Sequence, residues 1–181
     1  GFEMNDTSKN ATYLRCTAIN ARDPNPKNAR SYLNGDGFVG ERGNLNVNYI
    51  RCISNNNEDG GFETKATNVT IIGCLAEGSK RNIRLWAVAD IFETHIKNAR
   101  WQELWTGSSK LIRYFSGSVS AAPNISSVFL NEGTKSPAVD YCTLLVSNKV
   151  KVTFSGTTKK VVSASTGRVQ FYNPGDTVDN T

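Results

Sequence analysis

Apolar side chains recur along the first half of the chain in short bursts, each opened by an asparagine. Three stretches align: Asn10-Ala-Thr-Tyr-Leu-Arg-Cys16, Asn46-Val-Asn-Tyr-Ile-Arg-Cys52 and Asn68-Val-Thr-Ile-Ile-Gly-Cys74. Each has a small or branched apolar residue second, paired bulky apolar residues fourth and fifth, and Cys seventh. The offsets are 36 and 22. A further step of 22 reaches Asp90-Ile-Phe-Glu-Thr-His-Ile96, with Asp in place of Asn and Ile in place of Cys. A second motif recurs in phase, as Gly1-Phe2-Glu3, Gly37-Phe38, Gly61-Phe62-Glu63 and Asn82-Ile83-Arg84, and the next step of 22 falls on Trp105. The pattern predicts two or three short strands per repeat, with turns at fixed places. The long first interval holds an insertion around 22–28, whose prolines mark a surface loop.

A helix competes for one region. Leu85, Val88, Phe92, Ile96 and Ala99 fall at three- and four-residue spacing between Arg84 and Trp105, the period of an amphipathic helix. The in-phase match of Asp90-Ile91 to Asn68-Val69 favours strands. From Lys110 onward the repeat fades, yet 111–115, 127–130, 142–146, 150–154, 160–162 and 168–172 all read as strands, separated by Gly, Ser, Asn and Pro. The Ser-, Ala- and Gly-rich stretch 116–123 reads as a boundary. The tail 173–181 carries a turn signal and little else.

A repeat near 22 residues cannot bury its own apolar side chains, so it must stack on its neighbours, about 4.8 Å apart, to build one continuous core. Equivalent residues then form ladders. Asn10, Asn46, Asn68 and Asp90 are expected to form an amide ladder, and Cys16, Cys52 and Cys74 a buried stack of free thiols, since buried Cys behaves as a small hydrophobe. These rungs resemble the right-handed parallel β-helix of the pectate-lyase-like superfamily, which is similar in turn to the tailspikes and appendage proteins of tailed bacteriophages. The resemblance covers about residues 1–115. The expected fold is therefore all-β: a right-handed parallel β-helix of about four rungs over 1–115, followed by a smaller β-rich segment over 116–181.

Composition fits that reading. The 181 residues include 20 Asn and 15 Gly but one His and one Met, as turns and short strands require. No apolar run approaches about 18 residues, so no membrane insertion is expected. The start at Gly1-Phe2-Glu3-Met4 reads like a cut inside a longer protein. The net charge of +5 favours anionic partners. The basic residues are scattered, however, apart from Lys80, Arg81 and Arg84 and the later Lys159-Lys160. No nucleic-acid-binding motif is present, so nucleic acid is not expected as a partner. The four cysteines form no C-x-x-C pair, which argues against zinc. Reduced thiols suit assembly in a cytoplasm. The sequons at Asn5, Asn10, Asn68 and Asn124 are commonplace in so Asn-rich a chain.

Glycan cleavage needs two carboxyl groups. Asp36 and Asp59 precede the Gly-Phe corner, and Glu3 and Glu63 follow it, with Glu41 and Glu58 nearby. Asp36, Asp59 and Glu63 are the candidate catalytic residues. Glu3 and Glu63 share a register with Val39 between them, about 9.6 Å apart in backbone spacing. The competing reading makes Glu58-Asp59-Gly60-Gly61 a solvated turn whose acids accept backbone hydrogen bonds. A lyase would instead place a base beside a cation such as Lys65, Lys80, Arg81 or Arg84. Arg81, Arg84, Trp101 and Trp105 are candidate glycan contacts, against core packing for the indoles. Trp86, inside a rung, is expected to be buried. His95, at the place of Gly73 in this register, reads as structural. No metal or other cofactor is expected.

The resemblance implies more than the spacing does. A phage appendage would act on the virion tail, usually as a homotrimer, and would bind or cleave a bacterial surface polysaccharide such as capsule, O-antigen or teichoic acid. A non-catalytic spike segment and a secreted polysaccharide lyase or epimerase acting outside the cell are the alternatives.

Overall fold

The computed structural model describes residues 1–5, 7–24, 34–106, 111–121, 127–131, 143–146, 150–154, 159–163 and 168–172. Among them there is no helix, and the chain is a parallel β-solenoid of about four turns. Each turn contributes one strand to each of three sheets. The first turn is β1 (Phe2–Met4), β2 (Thr12–Leu14) and β3 (Thr17–Ile19); the second is β4 (Phe38–Gly40), β5 (Leu45–Ile50) and β6 (Ile53–Asn55). The third is β7 (Gly60–Thr64), β8 (Thr67–Ile72) and β9 (Leu75–Glu77); the fourth is β10 (Arg81–Leu85), β11 (Ala89–Phe92) and β12 (Thr94–Lys97). The helix drawn over Arg84 to Trp105 is replaced by β10–β12 and β13 (Gln102–Thr106).

Strands continue along the three sheets as β14 (Leu111–Tyr114), β15 (Gly117–Ala121), β16 (Ser127–Asn131), β17 (Thr143–Val146) and β18 (Val150–Phe154). β15, within the Ser- and Ala-rich stretch, pairs with both β12 and β18. β19 (Lys159–Ser163) and β20 (Arg168–Tyr172) form an antiparallel pair at the edge of the first sheet. Cys142, the sequon at Asn124 and the tail 173–181 lie outside the described residues.

The core is a set of inward ladders. Phe2, Phe38, Phe62, Ile83 and Leu104 occupy equivalent places in the first sheet. Phe38 stacks on Phe2 and Phe62 with ring centroids 5.1 and 4.9 Å apart, and Tyr13 stacks on Tyr49 at 5.4 Å. In-register parallel pairing sets this spacing, so like residues meet face to face. The thiol stack is present: Cys16, Cys52 and Cys74 are free, the latter two buried, and the backbone N–H of Cys52 donates to Sγ of Cys74 at 3.3 Å. Burial pushes the Cys74 thiol up to about 12, so it stays protonated and unreactive.

Left-handed residues turn the corners. Asn10, Asn46 and Asn68 (φ 56–57°) form one column, Arg15, Arg51, Gly73 and Glu93 a second, and Asn20, Asn56, Gly78 and Asn98 a third. Asn tolerates this conformation better than most residues. Asn46 donates from Nδ2 to Oδ1 of Asn10 at 2.8 Å, and Asn68 donates to Asn46 at 3.2 Å. A second amide contact, Asn56 to Asn20 at 2.7 Å, was not expected from the repeat.

The fourth turn departs from the expected register. Asp90 pairs with Thr70, not Asn68, and so lies outside the amide ladder. Thr94 takes the cysteine place expected for Ile96, its Oγ1 accepting from the Cys74 backbone N–H at 3.3 Å. His95 consequently pairs with Leu75, not Gly73; it is exposed, with Nδ1 2.8 Å from the Ser118 hydroxyl. The Cys-to-Thr step is 20 residues rather than 22, so the corner comes two residues sooner. Leu104, not Trp105, follows Ile83 inward. A slip of one residue reverses the face of a strand, and Trp105 therefore points outward.

Candidate functional site

The outward side of the first sheet follows from that alternation. Glu3, Val39, Glu63, Arg84 and Trp105 are consecutive rungs of one outward ladder. Neighbouring rungs bring Glu63 directly beside Arg84, whose Nη1 lies 2.9 Å from Oε2. Arg84 Nη1 also lies 3.7 Å from Oδ2 of Asp59, while Arg81 Nη1 and Lys80 Nζ lie 2.9 and 3.7 Å from its Oδ1. Asp59 is 2% exposed. It is not a solvated turn residue but the anionic anchor of three cations. Glu58 does accept a backbone hydrogen bond, from the N–H of Asp23 at 2.6 Å.

Asp36 completes the cluster. Its Oδ1 accepts the backbone N–H of Gly60. A Cβ at Gly60 would sit 2.7 Å from that oxygen and 2.9 Å from the Glu63 Cβ, so glycine lets the two acids approach. One oxygen from each of Asp36, Asp59 and Glu63 lies within 4.8 Å of the others. Burial, then the charge of Glu63, raise the Asp36 carboxyl to about 7, against the opposing effect of the Gly60 N–H. Near neutral pH Asp36 is thus a partly protonated acid beside two ion-paired carboxylates. The same separation is close enough for a cation, but the charge of Asp59 and Glu63 is already met by arginine and lysine.

Aromatic rings hold the arginines. The Arg84 guanidinium lies 4.8 Å from the Trp86 ring centroid and 4.9 Å from that of Trp105, and the two indoles are 4.5 Å apart. The Arg81 guanidinium lies 4.2 Å from the Trp101 centroid, and its Nε donates to Gln102 Oε1 at 3.0 Å. Such contacts fix a flexible cation at low entropic cost.

A groove of about 430 Å³ opens over this face, lined by Asn34, Asp36, Val39, Glu41, Glu63, Lys65, Arg84 and Trp86. Lys65 Nζ lies 2.8 Å from Glu41 Oε1 and 3.9 Å from Glu63 Oε1. Of the seven residues singled out in the sequence, Asp36, Glu63 and Arg84 line the groove. Asp59 does not line it but is ion-paired to Arg84, which does, and Arg81, at the start of β10, and Trp101, just before β13, are outside its lining. Trp105 is 3% exposed and offers no open face to a sugar; it supports Arg84. Trp86, expected in the core, is half-buried and forms a groove wall. Trp101, 37% exposed, keeps accessible ring surface. Glu3 is exposed and lies on the far side of Val39, so its two-rung pairing with Glu63 is present in the ladder while Asp36 provides the nearer partner. The Glu41–Lys65 pair was legible only once Gly40 was known to pair with Thr64.

Compared with protein-family models, curated proteins and solved structures, the chain gives no match.

Proposed function

We propose that the outer face of the first sheet binds and cleaves a bacterial surface polysaccharide, and that the chain is part of a bacteriophage tail appendage that uses this face in host attachment. The observation that carries the reading is the placement of Asp36 beside the ion-paired Glu63 in an open groove with an indole wall, its carboxyl raised to about 7 and so partly protonated near neutrality. A protonated acid next to a carboxylate is the equipment of glycoside hydrolysis. Trp86 and the exposed ring of Trp101 supply apolar faces for sugar rings. The appendage assignment rests on the resemblance of the Asn- and Cys-marked rungs to those of tailspikes, and a parallel solenoid is the fold that resemblance implies.

A lyase is less well supported. It needs a cation placed to stabilise an enolate; Lys65 in the groove is engaged by Glu41, and Arg84 is engaged by Glu63 through one terminal nitrogen while its Nε has no hydrogen-bond partner. Association between copies is part of the proposal. Leu14, Ile50, Ile72 and Phe92 form an outward apolar line on the second sheet, with Leu14 58% exposed, and this line supports association between copies; a homotrimer is the form that the tailspike resemblance implies.

Purified capsule, O-antigen and teichoic acid incubated with the chain test the activity. New reducing ends without unsaturated products support hydrolysis. Unsaturated products would support the lyase, and neither would leave the face as a structural ion network. Sedimentation mass tests the trimer.

A further inference from the structure

The rim of the groove carries a reactive dipeptide, whatever the groove binds. We infer that Asn34 is a spontaneous modification site: the Gly35 nitrogen closes on its side-chain amide, and the ring opens to aspartate or isoaspartate, which leaves a carboxylate on the groove wall. Two observations carry this, the freedom of both reacting groups and the packing that requires glycine at 35.

An asparagine amide is lost when the next backbone nitrogen reaches its carbonyl carbon, and a side chain on that next residue obstructs the approach. Asn34-Gly35 is the only Asn-Gly step in the sequence. Asn34 is exposed, and among the described residues neither its amide nor the Gly35 N–H is hydrogen-bonded. The bonds flanking the step run from the Asn34 N–H to Asp23 Oδ2 and from the Asp59 N–H to the Gly35 carbonyl. Both are 3.2 Å, at the long end of the usual range. Other asparagines differ on both counts. Asn46, Asn57, Asn68 and Asn82 donate from their amides to other side chains, and Val47, Glu58, Val69 and Ile83 follow them.

Packing keeps the step Asn-Gly. A Cβ at 35 would collide with Cβ of Glu58, and would lie 2.7 Å from its Oε2 and 3.0 Å from the Ala21 carbonyl oxygen. Only glycine allows so close an approach, so the fold itself places the unshielded nitrogen after Asn34.

The steps balance. The Gly35 nitrogen loses its proton to base and bonds to the Asn34 side-chain carbon, and ammonia leaves, which gives a succinimide. Water adds to one of the two ring carbonyls and the ring opens. Breaking the bond just formed gives aspartate. Breaking the original peptide bond gives isoaspartate, with one extra methylene in the main chain. Nothing but water and base is consumed.

Asn34 and Asp36 line the same groove, with Glu41 and Glu63. A carboxylate at 34 adds a like charge near Asp36, whose proton burial and Glu63 already hold, so Asp36 holds it more tightly still. Isoaspartate also displaces Gly35, whose carbonyl receives the Asp59 N–H.

The test holds the whole folded chain at neutral and mildly alkaline pH. Peptide mass mapping locates lost amides, isoaspartyl methyltransferase labels the isoaspartate, and carboxyl-carbon NMR follows Asp36. Asn34→Gln, checked for cooperative melting, is the control. Conversion at Asn34 ahead of every other asparagine is expected, faster as pH rises, with isoaspartate in excess and no early conversion in Asn34→Gln. In the converted chain the Asp36 titration should move above its starting value of about 7. An Asn34 that stays intact in the folded chain, or another asparagine that converts first, overturns the inference. An Asp36 titration that does not move in the converted chain overturns the effect on the groove. Each of these results leaves glycan cleavage standing, since reducing-end release by the fresh chain tests that separately.

Discussion

Arg84 and Glu63 meet across a single rung of the first sheet, with Nη1 of one 2.9 Å from Oε2 of the other. The pairing is a direct product of register: Arg84 stands opposite Glu63 in the ladder, 21 residues later in the chain. Around this contact the site is organised. Arg84 also reaches Asp59, and Trp86 and Trp105 cover its guanidinium. Removing it exposes two largely buried carboxylates to each other.

Arg84→Met is therefore expected to destabilise the fold by about 3–5 kcal/mol, the usual loss when one partner of a buried pair is removed. Urea denaturation measures it. A loss below about 1 kcal/mol would mean that the pair behaves as a surface salt bridge. The same change removes a cation that lowers the Asp36 pKa, so the Asp36 titration should move upward in the variant, readable by carboxyl-carbon NMR.

Hydrolysis should depend on pH through Asp36. The proton donor must be protonated, so the rate is expected to fall as pH rises through about 7. A rate that rises through that range would contradict the role given to Asp36.

Glu103 is a second buried acid, remote from the groove chemistry. It is 0% exposed; Oε2 accepts from Asn82 Nδ2 at 2.6 Å and Oε1 from the Ala99 N–H at 3.0 Å. Burial raises its pKa to about 7 from an ordinary 4.5. The folded state holds the proton more tightly than the unfolded chain, so the contribution of Glu103 to stability is greatest at low pH. It is lost as pH rises from the unfolded value through the folded one. That loss is on the order of 3 kcal/mol at and above neutrality. Glu103→Gln should flatten this part of the stability–pH profile, and melting curves across the range will show it. An unchanged slope would remove Glu103 as the cause.

The amide ladder makes a separable prediction. Asn46 holds φ 56°, donates to Asn10 and accepts from Asn68. Asn46→Gly keeps the left-handed turn free of strain but loses both ladder bonds; Asn46→Ala loses the bonds and adds strain of about 1 kcal/mol or more. Alanine should therefore be the more destabilising of the two in thermal unfolding. The reverse order would mean that the corner conformation is not what asparagine supplies there.

The repeat was readable where two constraints coincided. Asn10, Asn46 and Asn68 mark a left-handed corner, and Cys16, Cys52 and Cys74 fill a narrow interior, so both features recur visibly in the chain. The fourth turn was misread because Thr94 replaces Cys and the corner arrives early, which a constant step of 22 could not anticipate. The slip from Leu104 to Trp105 has the same origin, and it concealed the fact that Trp105 faces outward and supports Arg84. Asp36, Asp59 and Glu63 could be named because they flank the Gly-Phe corner, and Arg81 and Arg84 because, with Lys80, they form the tightest basic group in the first half of the chain. Their ion pairs could not be read, since a pair depends on the exact register of neighbouring rungs and on which side of the strand each residue occupies.

Reducing-end release from bacterial surface polysaccharide by the unaltered chain and by Asp36→Asn, measured below and above pH 7, tests the proton donor most directly. The expected result is cleavage by the unaltered chain that weakens above about 7, and a loss of about 10²–10⁴-fold in the folded variant. A folded Asp36→Asn variant that cleaves at the full rate would contradict the role of Asp36 and the site built around it.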